Sequence, residues 1–405
     1  MILEYLTNGR ELQLPRRYIL LSIVFSQFAC TSLWFAGNAV IEGLVLAHGI
    51  PFRMLGWLLS AVQVGFIMGT LLFAVGMFTD RIAPSKIFFF CALAGAFFNG
   101  WLLLPSVSVT GMIVARLGTG VCLAGIYPVG MKIASDYYQK GLGKALGYLV
   151  GALVLGTAFP YLLKALGSTE NYKPVISMTS ALAVVGGVIM ITLVPSGPYA
   201  ARATQFRWNV LPRLFRVLAF RKAAIGYFGH MWELYAFWGY IAVYLSVYEE
   251  LHGRTYPTAL ITFVCIAIGT LSCIAGGYVS VQKGSSWVAY RSLFASGTFC
   301  ILSPLFLYAP FGIYLLFVLC WGIVVISDSP QFSSSIAQAA PPEWKGTGLT
   351  VSTCIGFAIT VLSIQIVSYI TQHLNPAYMF VPLSLGPIVG VWFSRQKNLA
   401  SNTDL

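Results

Sequence analysis

Residues 54–104 read MLGWLLSAVQVGFIMGTLLFAVGMFTDRIAPSKIFFFCALAGAFFNGWLLL. Two unbroken apolar runs, 54–75 and 87–104, flank a short hinge carrying Asp80, Arg81 and Lys86. A helix needs roughly twenty apolar residues to cross a hydrocarbon core about 30 Å thick, and both runs are of that order. Neither alternates polar with apolar residues, as the shorter strands of a membrane barrel do. Each run can close its backbone hydrogen bonds within itself, so the stretch reads as a transmembrane helical hairpin.

Further apolar runs lie at 18–46, 111–133, 145–166, 174–195, 222–248, 257–281, 288–308, 311–338, 346–372 and 378–394. The spacing predicts an all-α polytopic membrane protein of twelve transmembrane helices. Composition agrees, since 58% of the residues are apolar and only 9% charged, against about a quarter charged in soluble domains. Too little polar surface remains to cover a water-soluble globule. The net charge of +12 would suggest nucleic acid in a soluble protein. Here the basic residues sit in gaps between apolar runs, and no nucleic-acid partner is expected. The eight cysteines all lie inside apolar runs, without the spacing of a metal site or redox pair, so they read as small packing residues.

Lysine and arginine set the expected topology. With the N-terminus in the cytoplasm, 17 of the 24 basic residues fall on that side, while Arg53, Lys164, Lys173 and Arg254 fall on the other. Both termini are therefore expected inside, in a plasma (inner) membrane. Arg16 and Arg17 precede a first run with no small-residue cleavage site, so that run reads as a retained helix. The gap at 196–221 holds five arginines and no acid. It divides the chain into an N-terminal six-helix bundle (1–195), a basic cytoplasmic linker (196–221) and a C-terminal six-helix bundle (222–405). A shift of 202 places Phe35 on Phe237, Gly37 on Gly239, Gly120 on Gly322 and Pro128 on Pro330, and a shift of 200 places Gly76 on Gly276. The near-constant offset points to a duplicated unit, as in secondary transporters whose site lies between repeats.

Polar groups inside a bilayer are costly and mark function. Helical spacing puts Gln27, Thr31, Asn38 and Glu42 on one face of the first helix, and His230, Glu233, Phe237, Tyr240 and Tyr244 on one face of the seventh. Asp328, Gln331, Ser335 and Gln338 share a face of the tenth, and Arg116, Thr119 and Tyr127 lie roughly together on the fourth. Such stripes must line a wet cavity or the bundle interior. Glu233, about eleven residues into its helix, is the leading candidate for a carboxyl that gains and loses a proton. His230, one turn away, can relay a proton or bond that carboxyl. Asp328 precedes Ser329-Pro330, where a proline frees a backbone carbonyl; it can bind a cation or pair with Arg116. Arg116 itself suits an anionic solute or a carboxylate. Tyr127 and Tyr240 could stack on an organic solute. Gly65 and Gly69 form a small-xxx-small pair suited to close helix contact.

Residues 76–86, GMFTDRIAPSK, resemble motif A of the major facilitator superfamily, with Ala83 or Pro84 where a later glycine is usual. Arg116-x-x-x-Gly120, followed by Gly125 and Pro128, resembles its helix-four motif B. The resemblance covers essentially the whole chain. It implies two six-helix bundles rocking about a site lined by helices one, four, seven and ten. It further implies a latch, with Gly76 at the turn, Asp80 capping the eleventh helix near Gly346, and Arg81 paired with Asp136. The Gly-Pro pair of the antiporter motif C is missing from the fifth helix. Residues 32–38 and 229–235 are similar to carriers grouped with nitrate/nitrite porters, but the arginines with which those porters hold their anion have no counterpart in the second and eighth helices.

These features are read as a secondary active transporter of a small organic solute, polar or charged, working by alternating access with proton-coupled uptake. A passive facilitator (uniporter) and a proton-coupled exporter are the alternatives. No nucleotide-binding loop, selectivity filter or metal site is recognisable, so no enzyme activity, cofactor or metal is expected. The expected partners are the solute, protons and the bilayer, and the expected state is a monomer.

Overall fold

The computed structural model describes residues 16–138, 142–167, 171–199 and 206–395. Its helices make twelve passages. The first, α1, is broken and spans 16–48. The rest of the first half is α2 (Met54–Gly76), α3 (Pro84–Leu103), α4 (Val109–Tyr137), α5 (Leu142–Leu166) and α6 (Lys173–Leu193). The second half is α7 (Leu218–His252), α8 (Thr258–Lys283), α9 (Ser285–Phe306), α10 (Phe311–Ala339), α11 (Lys345–His373) and α12 (Pro376–Ser394). Among the described residues, nine are long and apolar enough to cross a membrane singly. The other three are α1, which is interrupted, and α7 and α9, which are richer in polar residues. An even number of passages returns the chain to the face it started from.

The helices match the apolar runs to within four residues at each end. Helix α7 begins at Leu218 rather than 222, because hydropathy marks the lipid-facing part of a helix whereas hydrogen bonding carries it on through Arg221 and Lys222. Before it, Leu211–Arg216 forms a short helix of its own. Large apolar side chains such as Trp57, Phe90, Phe97 and Leu316 are exposed on the outside, while Gln27, Gln63, Arg116 and Glu233 are buried. This inverts the soluble pattern, as a hydrocarbon solvent requires.

Two close contacts reveal the repeat in three dimensions. A Cβ on Gly120 would stand 2.1 Å from the Val62 carbonyl of α2, and one on Gly322 would stand 2.1 Å from the Cys265 carbonyl of α8. Gly65 is as tight against the Leu117 carbonyl of α4, at 2.0 Å. The α2–α4 and α8–α10 pairs thus pack backbone to backbone, which only glycine permits. Three of the four central helices are also interrupted. Helix α1 turns at 32–35, α4 breaks at Gly125–Ile126 before Tyr127-Pro128, and α10 breaks at Asp328 before Ser329-Pro330. Each proline opens a new helical segment, where its missing N–H costs nothing.

Candidate functional site

The two halves meet mid-membrane on an aromatic layer. Trp34 of α1 packs on Phe66 of α2 (5.0 Å between ring centroids), on Tyr235 of α7 (5.4 Å) and on Phe357 of α11 (5.8 Å). Phe66 and Phe357 close the layer at 4.4 Å. On the side where α1 begins and α12 ends, a cavity of about 340 Å³ lies between α2, α4 and α11, lined by Thr70, Lys132 and Thr350 among others. On the other side, a cavity of about 360 Å³ reaches Asn38, Glu42, Lys164, Gly239 and Glu250. The layer therefore stands between two opposed vestibules. Beyond it, Gln365 of α11 donates to the Gly56 carbonyl (3.2 Å) and to Ser60 Oγ (2.8 Å) on α2. Thr270 of α8 donates to the Gly151 carbonyl of α5 at 3.1 Å.

Several buried groups have no protein partner. Both side-chain atoms of Gln27, Asn38 and Gln63 are unbonded, and so is the Trp34 indole N–H. Such groups cost about 1–3 kcal/mol each when left unpaired, so they mark places where water or a solute completes the bonding. Tyr127, half-buried, opens the α4 segment after the break. Tyr240 places its hydroxyl where α7 meets Gly56 of α2 and Ser368 of α11. Thr31 differs from its neighbours on the stripe. Its hydroxyl donates to the Gln27 carbonyl of its own helix at 2.8 Å and is already satisfied.

The buried ionisable groups lie inside the halves, Arg116 behind the backbone of Trp34 and the others within the second half. Arg116 is fully buried within the first half and meets no carboxylate there. It donates to the Leu33 carbonyl (3.1 Å), the Trp34 carbonyl (2.5 Å) and Asn99 Oδ1 (3.3 Å), holding the carbonyl end of the lower α1 segment at its break. Asp328 pairs instead with His230, Oδ1 to Nδ1 at 2.8 Å, both 1% exposed. Glu233 accepts from Ser296 and Cys300 (3.3 Å) of α9 and from the Trp321 indole (3.1 Å) of α10. All of the α7 stripe but Tyr240 thus turns into the core of the second half, where Tyr244 donates to the Ser303 carbonyl at 2.6 Å.

Around the expected latch, Gly76 ends α2, and Met77 follows with φ of +49°. The Asp80 side chain lies outside the described residues. Arg81 is exposed, while Asp136 pairs with Lys132 at 3.5 Å, one turn away on α4. Across the opposite cavity, Glu42 of α1 pairs with Lys164 of α5 at 2.6 Å.

Sequence reasoning missed Gln63 and the aromatic layer. Gln63 gave a signal, an amide in the middle of an otherwise apolar run. The layer gave none, because Trp34, Phe66, Tyr235 and Phe357 look like any other membrane aromatics until the halves are brought together.

Comparison with known proteins agrees with this architecture. The chain is 21% identical over 329 residues to a probable L-galactonate transporter of Escherichia coli K12, covering 69% of this chain and 71% of that one. It superposes on the human organic anion transporter MFSD10 (TETRAN) with a TM-score of 0.71 at 13% identity, covering 94% and 100% of the two chains. On the proton:xylose symporter XylE the TM-score is 0.70 at 12% identity, with 93% and 94% covered. These low identities speak for the fold alone. The sequence profile described as Major Facilitator Superfamily matches residues 20–364, and the chain belongs to that superfamily as a multi-pass membrane transporter of small solutes.

Proposed function

We propose that the protein takes up a small polar organic solute together with protons, its halves rocking so that the aromatic layer opens first to one cavity and then to the other. One observation carries the reading. The unpartnered Trp34 indole N–H lies in an aromatic layer between two vestibules, with the unpartnered amides of Asn38 and Gln63 four residues from Trp34 and three from Phe66 along their helices, a combination that suits a hydroxylated solute with a carbon face to stack. Together with the L-galactonate relative, this makes sugar acids the first class to test. Glu233 and the His230–Asp328 pair serve as the proton-binding groups, and Arg116 shapes the site by fixing the α1 break. Residues 1–195 and 222–405 act as the moving bodies, joined by 196–221, with the termini in the cytoplasm as the basic residues favour. Gly76, Asp80, Arg81 and Asp136 latch that face. A variant Asp80→Asn that transports and partitions between conformations like the wild type would remove the latch from this scheme.

The test is uptake of labelled L-galactonate into proteoliposomes, with and without an acid outside, and with sugar acids, hexoses, nucleosides and amino acids as competitors. Uptake is expected to rise several-fold with the gradient. In Glu233→Gln that response should vanish while solute exchange persists. A wild type indifferent to the gradient would end the coupling, and a signal that no hydroxylated competitor displaces would end the solute assignment.

A further inference from the structure

Resting on the proton-coupled reading above, we propose that protons reach the buried acids of the second half through a cleft of their own, separate from the solute path and closed at its inner end by Phe332. The cleft encloses about 620 Å³ among the ends of α7, α9, α10 and α12, with Lys222, Ser286, Tyr290, Ser335 and Gln338 on its walls. Ser286 and Gln338 are exposed at its mouth, on the face where α7 and α9 begin and α10 and α12 end. Its inner end is the buried ring of Phe332, 5.3 Å from the Tyr290 ring and 6.4 Å from the His230 ring. Gly226 makes room for it, since a Cβ there would stand 2.3 Å from the Phe332 ring.

Directly behind that ring lies His230. Its Nδ1 lies 2.8 Å from Asp328 Oδ1 and its buried Nε2 has no partner. Glu233 follows one turn along α7. None of these three lines either vestibule beside the aromatic layer. One aromatic ring therefore separates a water-accessible cleft from the titratable cluster, while the contacts of Glu233 with Ser296, Cys300 and Trp321 occupy its solute-remote side. An imidazole whose Nδ1–H lies beside a carboxylate can accept a proton at Nε2 and pass the Nδ1 proton to Asp328. The pair then holds one added proton, and the reverse steps release it. The other titratable groups close to the pair are Tyr227 on α7 and Cys273 on α8, while Tyr290 on α9 and Lys222 on α7 face the cleft.

The experiment follows carboxyl protonation in the purified full-length protein by infrared spectroscopy after a pH drop, using the band lost in Glu233→Gln and Asp328→Asn. Ser335→Cys is compared with itself after reaction with a bulky thiol reagent, and the parent protein receives the same reagent. The label is expected to slow protonation at least tenfold, whereas the same label at Thr350→Cys, in the vestibule between the halves, changes the rate less than twofold. Phe332→Ala, which removes the ring, should speed it several-fold. The cleft is excluded if labelling position 335 slows the rate less than twofold, if position 350 slows it as much, or if no carboxyl band titrates. Gradient-driven uptake alongside an ineffective label at 335 would overturn the cleft and leave proton coupling standing.

Discussion

Gln63 has almost the volume of leucine, yet its amide has no partner in a fully buried site. Replacing an unpartnered amide by an apolar group of similar shape is close to neutral for stability or better. Gln63→Leu should therefore keep or raise the Tm of the purified protein while raising KM about tenfold, the equivalent of about 1.4 kcal/mol for a lost solute hydrogen bond. A Tm that falls in step with transport would make Gln63 a packing residue. The residue scale is also where sequence reading was least complete. Thr31 shares a stripe with Gln27 and Asn38, but its hydroxyl serves its own helix. Arg116 was readable as a buried cation, whereas its use of two α1 carbonyls depends on a turn at 32–35 that no residue there announces. Periodicity names the face of a helix, not the neighbour that face meets, so Glu233 could be placed at mid-bilayer but not pointed at Ser296 and Trp321.

Elements were far more legible, because a bilayer permits so few solutions. Twelve apolar runs became twelve passages, and the charge at Arg221 accounts for the start of α7 four residues before its run. The breaks at Pro128 and Pro330 were likewise signalled by the prolines. What the elements require of each other is testable at Gly322. Any Cβ there would press on the Cys265 carbonyl, which belongs to a helix backbone and cannot swing aside. Gly322→Leu should separate α8 from α10 and cost at least about 3 kcal/mol, the upper range for overpacking, read as a large fall in folded yield and Tm. Gly277→Ala, with nothing within 4 Å of a Cβ, is the matched control and should be near neutral. Equal behaviour of the two would disprove the close contact.

At the scale of the whole molecule, the repeat was visible as an offset of 202 residues and returns as the paired contacts of Gly120 and Gly322. How the halves touch was not visible, since that depends on side chains hundreds of residues apart. Gln365 and Ser60, 2.8 Å apart across α11 and α2, supply the test. Cysteines at both positions, joined by a short thiol-specific cross-linker, should cut uptake at least tenfold, with recovery on reduction. Undiminished uptake in fully cross-linked protein would mean that the halves do not part there.

The unbroken length of α7 has a mechanical consequence. Thirty-five helical residues make a rod about 52 Å long, well beyond a hydrocarbon core of about 30 Å. Its counterpart α1 is jointed at 32–35 and can bend, whereas α7 must swing as one piece. A tilt of about 10° would displace its two ends relative to each other by roughly 9 Å. Near mid-rod, His230 and Glu233 sit close to the fulcrum, where the same swing moves them least. The rod can thus carry large movement at both membrane faces while its proton-binding groups stay nearly still.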